Sequence, residues 1–188
     1  MKTVYMIPGF GESISQKRYS PIVKSFKSNE FNVVPVSIDW KYRTMSDYVD
    51  QFLDKVKETR QFYLFGFSFG AMVSVISSSR IQPRAQILCS LSPYFKEDFK
   101  YIPESWHKFI GEKRVEDFRA LSFNNLASKV KCKTFILAGT LEAKEVGRRV
   151  EEAHKRIANS ELILVDGAKH DVAQKEYAES LDKLIAKL

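Results

Sequence analysis

Apolar positions along this chain keep two rhythms that take turns. Short runs, apolar at almost every position, occur at TVYMI (3–7), QFYLFGF (61–67), AQILCSL (85–91), KTFILAG (133–139) and ELILVDG (161–167). Runs of this length without polar alternation predict strands buried on both faces, as in a parallel sheet. NVVPVSI (32–38) is a further strand, and its Pro35 predicts an edge or a bulge because proline cannot donate to a sheet ladder. Between the runs, apolar residues recur at helical spacing. Tyr19, Ile22, Val23 and Phe26 mark a helix over 16–28, with Pro21 in its first turn. Met45, Tyr48, Val49, Phe52, Leu53 and Val56 share one face of a helix over 45–59. Residues 69–80 form a small-residue, apolar helix, hence a buried one, and amphipathic helices follow over about 143–157 and 172–187.

The order is strand, helix, strand, helix throughout. That pattern predicts an α/β fold: one mostly parallel sheet of about six strands with helices on both faces. The length of 188 residues suits a single domain, 1–188, with one substantial core. One segment, 93–128, breaks the alternation. It has no convincing strand but many aromatics (Tyr94, Phe95, Phe99, Tyr101, Trp106, Phe109, Phe118 and Phe123) and is predicted as one or two short helices with loops.

Composition narrows the picture. Apolar residues make up 44% and charged residues 28%, an ordinary soluble composition. No stretch approaches the roughly 18–20 apolar residues of a membrane span. The opening apolar run is broken at Pro8 and Gly9, too short for a secretory signal, so a cytoplasmic location is expected. Cys89 and Cys132 fall in predicted strands without C-x-x-C spacing. They read as buried, reduced thiols, a disulfide between neighbouring strands being the lesser alternative, and no metal site is expected. The net charge of +7 raises the question of an acidic partner. In KEVGRRVEEAHKRI (144–157), however, acids interleave with bases as on a solvated helix face, and no motif predicts nucleic-acid binding.

The chemistry concentrates at strand ends. In a parallel α/β sheet, ligands bind at the carboxyl ends of the strands. Ser68 lies there, between strand 61–67 and helix 69–80, bracketed by Gly66 and Gly70. Glycines at those positions remove the Cβ atoms that would collide in a sharp strand-to-helix turn. A serine hydroxyl needs a base. Of the three histidines, His154 lies among charges on a helix, His107 lies in the aromatic segment, and His170 lies in the loop after the last strand. His170 is the candidate base. The carboxylate to orient it is expected at Glu142, after strand 133–139. Glu145 is a weaker candidate, serving equally as helix-start charge; Asp166 and Asp171 also lie close, with turn and cap roles open to them.

These residues resemble a known superfamily. Gly66-Phe67-Ser68-Phe69-Gly70, between a strand and a helix, is similar to the G-x-S-x-G nucleophile elbow of the α/β-hydrolases, and Ser68, Glu142, His170 follow their chain order. The resemblance runs from VYMIPGFGES through GFSFG and ILAGTLE to GAKHD, nearly the whole chain. It implies an α/β-hydrolase fold lacking the first two strands, as in small, minimal members, with 93–128 as a short helical lid. It also implies an oxyanion hole: IPGFG resembles the H-G-x loop, so the backbone N–H groups of Phe10 and Phe69 would hold the oxyanion. Two departures stand out: Pro8 replaces the usual histidine of that loop, and a glutamate replaces the commoner aspartate.

The expected activity is that of a serine esterase or thioesterase without cofactor or metal. Ser68 would be the nucleophile, His170 the base, Glu142 the orienting acid. Phe10, Phe67, Phe69 and Tyr94 would line a pocket for a small-molecule acyl ester or thioester. Two other readings compete: an inert binding protein that keeps the fold, and a basic surface that binds an acidic partner.

Overall fold

The computed structural model describes residues 2–56 and 61–188, apart from the side chains of His107 and Phe109. The last residues of the helix expected over 45–59, and both of those side chains, lie outside the described residues.

Six strands form one sheet: β1 (Lys2–Ile7), β2 (Phe31–Pro35), β3 (Phe62–Phe67), β4 (Ala85–Cys89), β5 (Lys133–Gly139) and β6 (Ser160–Val165). Their spatial order is β2-β1-β3-β4-β5-β6, and every neighbouring pair is parallel. The chain starts inside the sheet, steps outward to β2, then returns to the other side of β1 with β3. The order therefore reverses between β1 and β3, which opens a crevice at their carboxyl ends. The loops leaving Ile7 and Phe67 meet at that crevice.

The central strands are apolar throughout because both faces are covered. Val4 and Met6 of β1 and Phe65 and Phe67 of β3 face α1 (Ser20–Ser28) and α8 (Lys175–Ile185). The alternate residues Tyr5, Ile7 and Leu64 face α2 (Met45–Leu53), α3 (Phe69–Ser78) and α7 (Lys144–Arg156). The expected helix over 16–28 opens as a 3-10 turn, Lys17–Tyr19, before α1, since Pro21 has no N–H to give. The strand expected to reach residue 38 ends at Pro35 on the sheet's edge, consistent with the proline signal.

Segment 93–128 is more helical than expected. It holds a 3-10 turn (Lys96–Tyr101) and three short helices, α4 (Glu104–Ile110), α5 (Glu112–Ala120) and α6 (Phe123–Ala127), rather than one or two. Gly111, at φ +92°, breaks α4 from α5, a conformation glycine adopts without Cβ strain. Ser122 caps α6 through Asn125. The segment is bolted to the body. Ser46 at the start of α2 donates from both its N–H and its hydroxyl to Asp117. Arg149 of α7 pairs with Asp98 at 3.2 Å, with side chains only 3% and 8% exposed. Its guanidinium lies 4.1 Å from the Phe123 ring centre and also faces Phe95. Burial pushes the Asp98 carboxyl up, against the lowering pull of Arg149. The pair is therefore a specific clamp that tolerates neither partner alone.

Arg149→Ala should destabilise the protein by about 3–5 kcal/mol in denaturant unfolding, since it strands a buried carboxylate. Arg149→Lys, which keeps the charge and loses the planar stack, should fall between. A loss below about 1 kcal/mol for the alanine variant would contradict the clamp.

Candidate active site

The turn from β3 into α3 is made by a single residue, Ser68. Ser68 sits at φ 56°, ψ −116°, outside the regions a residue with a Cβ normally occupies. Such a conformation costs on the order of 1–3 kcal/mol and persists only when the surroundings hold it. They do so here from two sides. The Ser68 N–H donates to the Cys89 carbonyl at 2.9 Å, which extends the β3–β4 ladder into the turn. Meanwhile a Cβ on Gly66 would overlap the Gly70 carbonyl, and a Cβ on Gly70 would overlap the Ile7 carbonyl. Helix α3 starts against bare backbone, and Ser68 is lifted out of the strand's line.

Three of the expected residues meet at this edge. His170 Nε2 lies 3.1 Å from Ser68 Oγ, and His170 Nδ1 lies 2.6 Å from Glu142 Oε2. The Glu142 side chain is 1% exposed; that of His170 is 44% exposed. The carboxylate is held as firmly as it is buried. Its other oxygen, Oε1, accepts from the Gly139 N–H and from the Ser90 hydroxyl, each at 2.7 Å. Tyr177 stands 2.9 Å behind Ser90 and donates to the Leu137 carbonyl. Burial pushes the Tyr177 phenol far up, so it stays neutral beside the carboxylate. Ser90 has φ +51°, a second strained non-glycine residue at a strand end. The extra methylene of glutamate is absorbed by this pocket of donors.

The other carboxylates have other partners. Asp166 accepts from Thr140 Oγ1 and sits in the turn that Gly167 closes at φ +68°. Asp171 accepts from the Ala173 N–H and from Arg18. Burial opposes its charge, but those two donors outweigh it and hold its pKa below the usual carboxylate range. Glu145 faces the cavity beside α7. His154 lies at the exposed end of α7 against Ser160.

The loop after β1 is braced without the missing histidine. The Gly9 N–H donates to the Tyr19 hydroxyl at 2.9 Å, and that hydroxyl donates to Glu12. Arg18 binds Glu12 and, at 2.8 Å, Asp171. One arginine thus ties the loop after β1 to the loop that carries His170. Its guanidinium also lies 5.3 Å from the Phe67 ring centre, whose far neighbour is the His170 ring at 4.9 Å. The N–H groups of Phe10 and Phe69 have no hydrogen-bond partner among the described residues, and the two rings lie 5.2 Å apart. The Phe69 N–H is the first donor of α3, where a helix offers unpaired N–H groups and partial positive charge.

A cavity of about 320 Å³ opens beside Ser68. Phe69, Tyr94, Ile102, Trp106 and Val146 form its apolar wall, with Ser68, Ser92 and His170 at its polar end. Burial pushes the Tyr94 phenol up to about 12, so the wall carries no phenolate. Two of the four expected pocket aromatics line it, Phe69 and Tyr94. Phe67 does not: it points into the core and is buried under His170. Phe10 also lies outside the cavity, half exposed, wedged between Trp40, Phe69 and Arg114.

Among the described residues, no group of three or more His, Cys, Asp or Glu could hold a metal ion. Cys89 and Cys132 are buried free thiols. No helix among those residues is long and apolar enough to cross a membrane. Sequence reasoning missed Ser90, Ser92, Tyr177 and the Glu12–Arg18–Tyr19 brace. The two serines follow β4 at the same sheet edge as Ser68, and the strand-end rule applied to β4 would have found them. The brace has no spacing signal.

No protein-family model matches the chain, and no curated protein matches it either. Its structure is similar to that of Est1E from Butyrivibrio proteoclasticus, seen with bound ferulic acid. That match has TM-score 0.82 and 11% identity, over 100% of this chain and 87% of that one. It is also similar to mouse alpha/beta hydrolase domain-containing protein 10, at TM-score 0.80 and 16% identity, over 98% of this chain and 88% of that one. The Pyrococcus furiosus esterase Pf2001 matches at TM-score 0.69 and 18% identity, over 99% and 80% of the two chains. The chain has the α/β-hydrolase fold.

Tyr19→Phe removes the acceptor of the Gly9 N–H and one of the donors to Glu12. It should lower stability by about 1–3 kcal/mol and speed amide exchange at Gly9. Unchanged exchange at Gly9 would show that the brace does not hold the loop.

Proposed function

We propose that this protein is a serine hydrolase that cleaves carboxylic esters or thioesters through an acyl-enzyme on Ser68. The observation that carries this reading is the hydrogen-bonded sequence Ser68–His170–Glu142, with a strained serine at one end and a buried, doubly donated carboxylate at the other. Its location at the crevice between β1 and β3, beside two unengaged amides, supports it further.

Glu142 accepts a hydrogen bond from the Nδ1–H of His170, which leaves Nε2 unprotonated and facing Ser68. Ser68 Oγ attacks the acyl carbon as its proton passes to Nε2. The charge that develops on the carbonyl oxygen falls to the N–H groups of Phe10 and Phe69; one such donor contributes roughly 3–4 kcal/mol of transition-state stabilisation. Nε2 then returns the proton to the departing alcohol or thiol. Water, activated by the same nitrogen, releases the acid. The apolar wall of Phe69, Tyr94, Ile102 and Trp106 suits an apolar acyl group, aromatic or aliphatic, of a size that about 320 Å³ holds. The ferulic acid bound by Est1E is an aromatic acid whose acyl group would be of this kind. The two free buried thiols favour a reducing compartment such as the cytoplasm.

Hydrolysis of p-nitrophenyl acetate, butyrate and octanoate tests the reading. Ser68→Ala and His170→Ala should each lose about 10³-fold or more in kcat/KM. Glu142→Gln should lose about as much, since Gly139 and Ser90 hold the amide oxygen and turn its NH2 toward Nδ1, which places the imidazole proton on Nε2. Trp106→Ala should raise KM for octanoate more than for acetate. A folded wild type that hydrolyses none of these and their thioester counterparts, or a Ser68→Ala variant as active as wild type, would overturn the proposal. The first result would favour the inert binder.

A further inference from the structure

Ser68 has a second hydroxyl beside it. Ser92 Oγ lies 3.1 Å from Ser68 Oγ, and Ser92 is 3% exposed at the polar end of the cavity. No other partner for that hydroxyl exists among the described residues.

Counting hydrogens assigns the direction of this bond. With the Nδ1 proton of His170 shared with Glu142, Nε2 is an acceptor, and the single hydrogen of Ser68 is directed to it. Ser68 Oγ then has only lone pairs to offer Ser92. The Ser92 hydroxyl is the donor.

We propose that Ser92 is a second catalytic hydroxyl, one that stabilises Ser68 Oγ when this oxygen leaves the acyl carbon. The inference rests on the reading of Ser68 as the nucleophile. In deacylation, the water oxygen forms a bond to the acyl carbon and its proton goes to His170 Nε2. The tetrahedral intermediate then breaks its bond to Ser68 Oγ. That oxygen departs with the bonding pair and takes the proton from Nε2. Two donors face it at that moment, the imidazolium and Ser92. A standing donor lowers the basicity of Oγ, which makes it a better leaving group and a weaker nucleophile. The gain in the second half-reaction is therefore partly offset in the first. Loss of Ser92 slows deacylation without slowing acylation, so acyl-enzyme accumulates. This split separates a catalytic hydroxyl from one that only fills space.

The test uses the full-length protein with p-nitrophenyl acetate, reading kcat and, by acid quench and intact mass, the fraction acylated on Ser68 in the steady state. Wild type, Ser92→Ala, Ser92→Thr and Ser68→Ala are compared, each confirmed folded by circular dichroism. Ser92→Ala should lower kcat about tenfold and raise the acylated fraction. Ser92→Thr, which restores the hydroxyl, should recover both. An active wild type matched in kcat by Ser92→Ala, or a slower Ser92→Ala whose acylated fraction does not rise, would overturn the role of Ser92 and leave Ser68 standing. A folded wild type without turnover or adduct would overturn the nucleophile itself, and Ser92's role with it.

Discussion

Everything at the functional edge follows from how closely α3 approaches the sheet. The helix begins where only backbone separates it from β1 and β3, so positions 66 and 70 have no room for a Cβ. That contact compresses the strand-to-helix turn into a single residue, Ser68, and forces it to φ 56°. The same contact carries the first N–H of α3 next to the loop that leaves β1. One steric constraint thus produces the raised hydroxyl and one of the two amides that have no partner among the described residues. The reversal of strand order between β1 and β3 supplies the crevice in which both face outward.

Around this turn the structure divides its work by burial. The Glu142 side chain is enclosed and receives two donors besides His170, so its position is set by Gly139 and Ser90 rather than by solvent. His170 is open on one side, as the proton carrier proposed above requires. Its ring rests on Phe67, and its loop is held by the Arg18–Asp171 pair. Arg18 also reaches Glu12, so the loops after β1 and β6 share one guanidinium. The helical segment 93–128 closes the apolar side of the cavity. Its Asp98–Arg149 clamp and the Ser46–Asp117 contact make it part of the body.

Much of this was legible in the sequence, for identifiable reasons. Buried parallel strands have unbroken apolar runs, and five of the six were placed to within two residues at each end; Pro35 marked the edge where the sixth stops short. The serine, the histidine and the glutamate sit at strand ends, where a positional rule can find them. Segment 93–128 holds more helices than its sequence predicts because its breaks are only one or two residues long, Gly111 and Leu121–Ser122, inside aromatic-rich sequence without a long period. Side-chain direction was harder. Phe67 and Phe69 flank Ser68 alike in sequence, yet the alternation of β3 buries Phe67 under His170, while the start of α3 turns Phe69 into the cavity. The tie between the loops after β1 and β6 depends on the fold bringing Arg18 to Asp171, 153 residues away, and no local pattern encodes that meeting.

The central claim is that Ser68 is an activated nucleophile because His170 takes its proton. Covalent labelling by a fluorophosphonate, with the adduct mapped by peptide mass, tests it most directly. The account predicts one adduct, on Ser68, in the folded wild type, and labelling slowed by orders of magnitude in His170→Ala. An unlabelled wild type, an adduct on another residue, or a His170→Ala variant labelled as fast as wild type would contradict it.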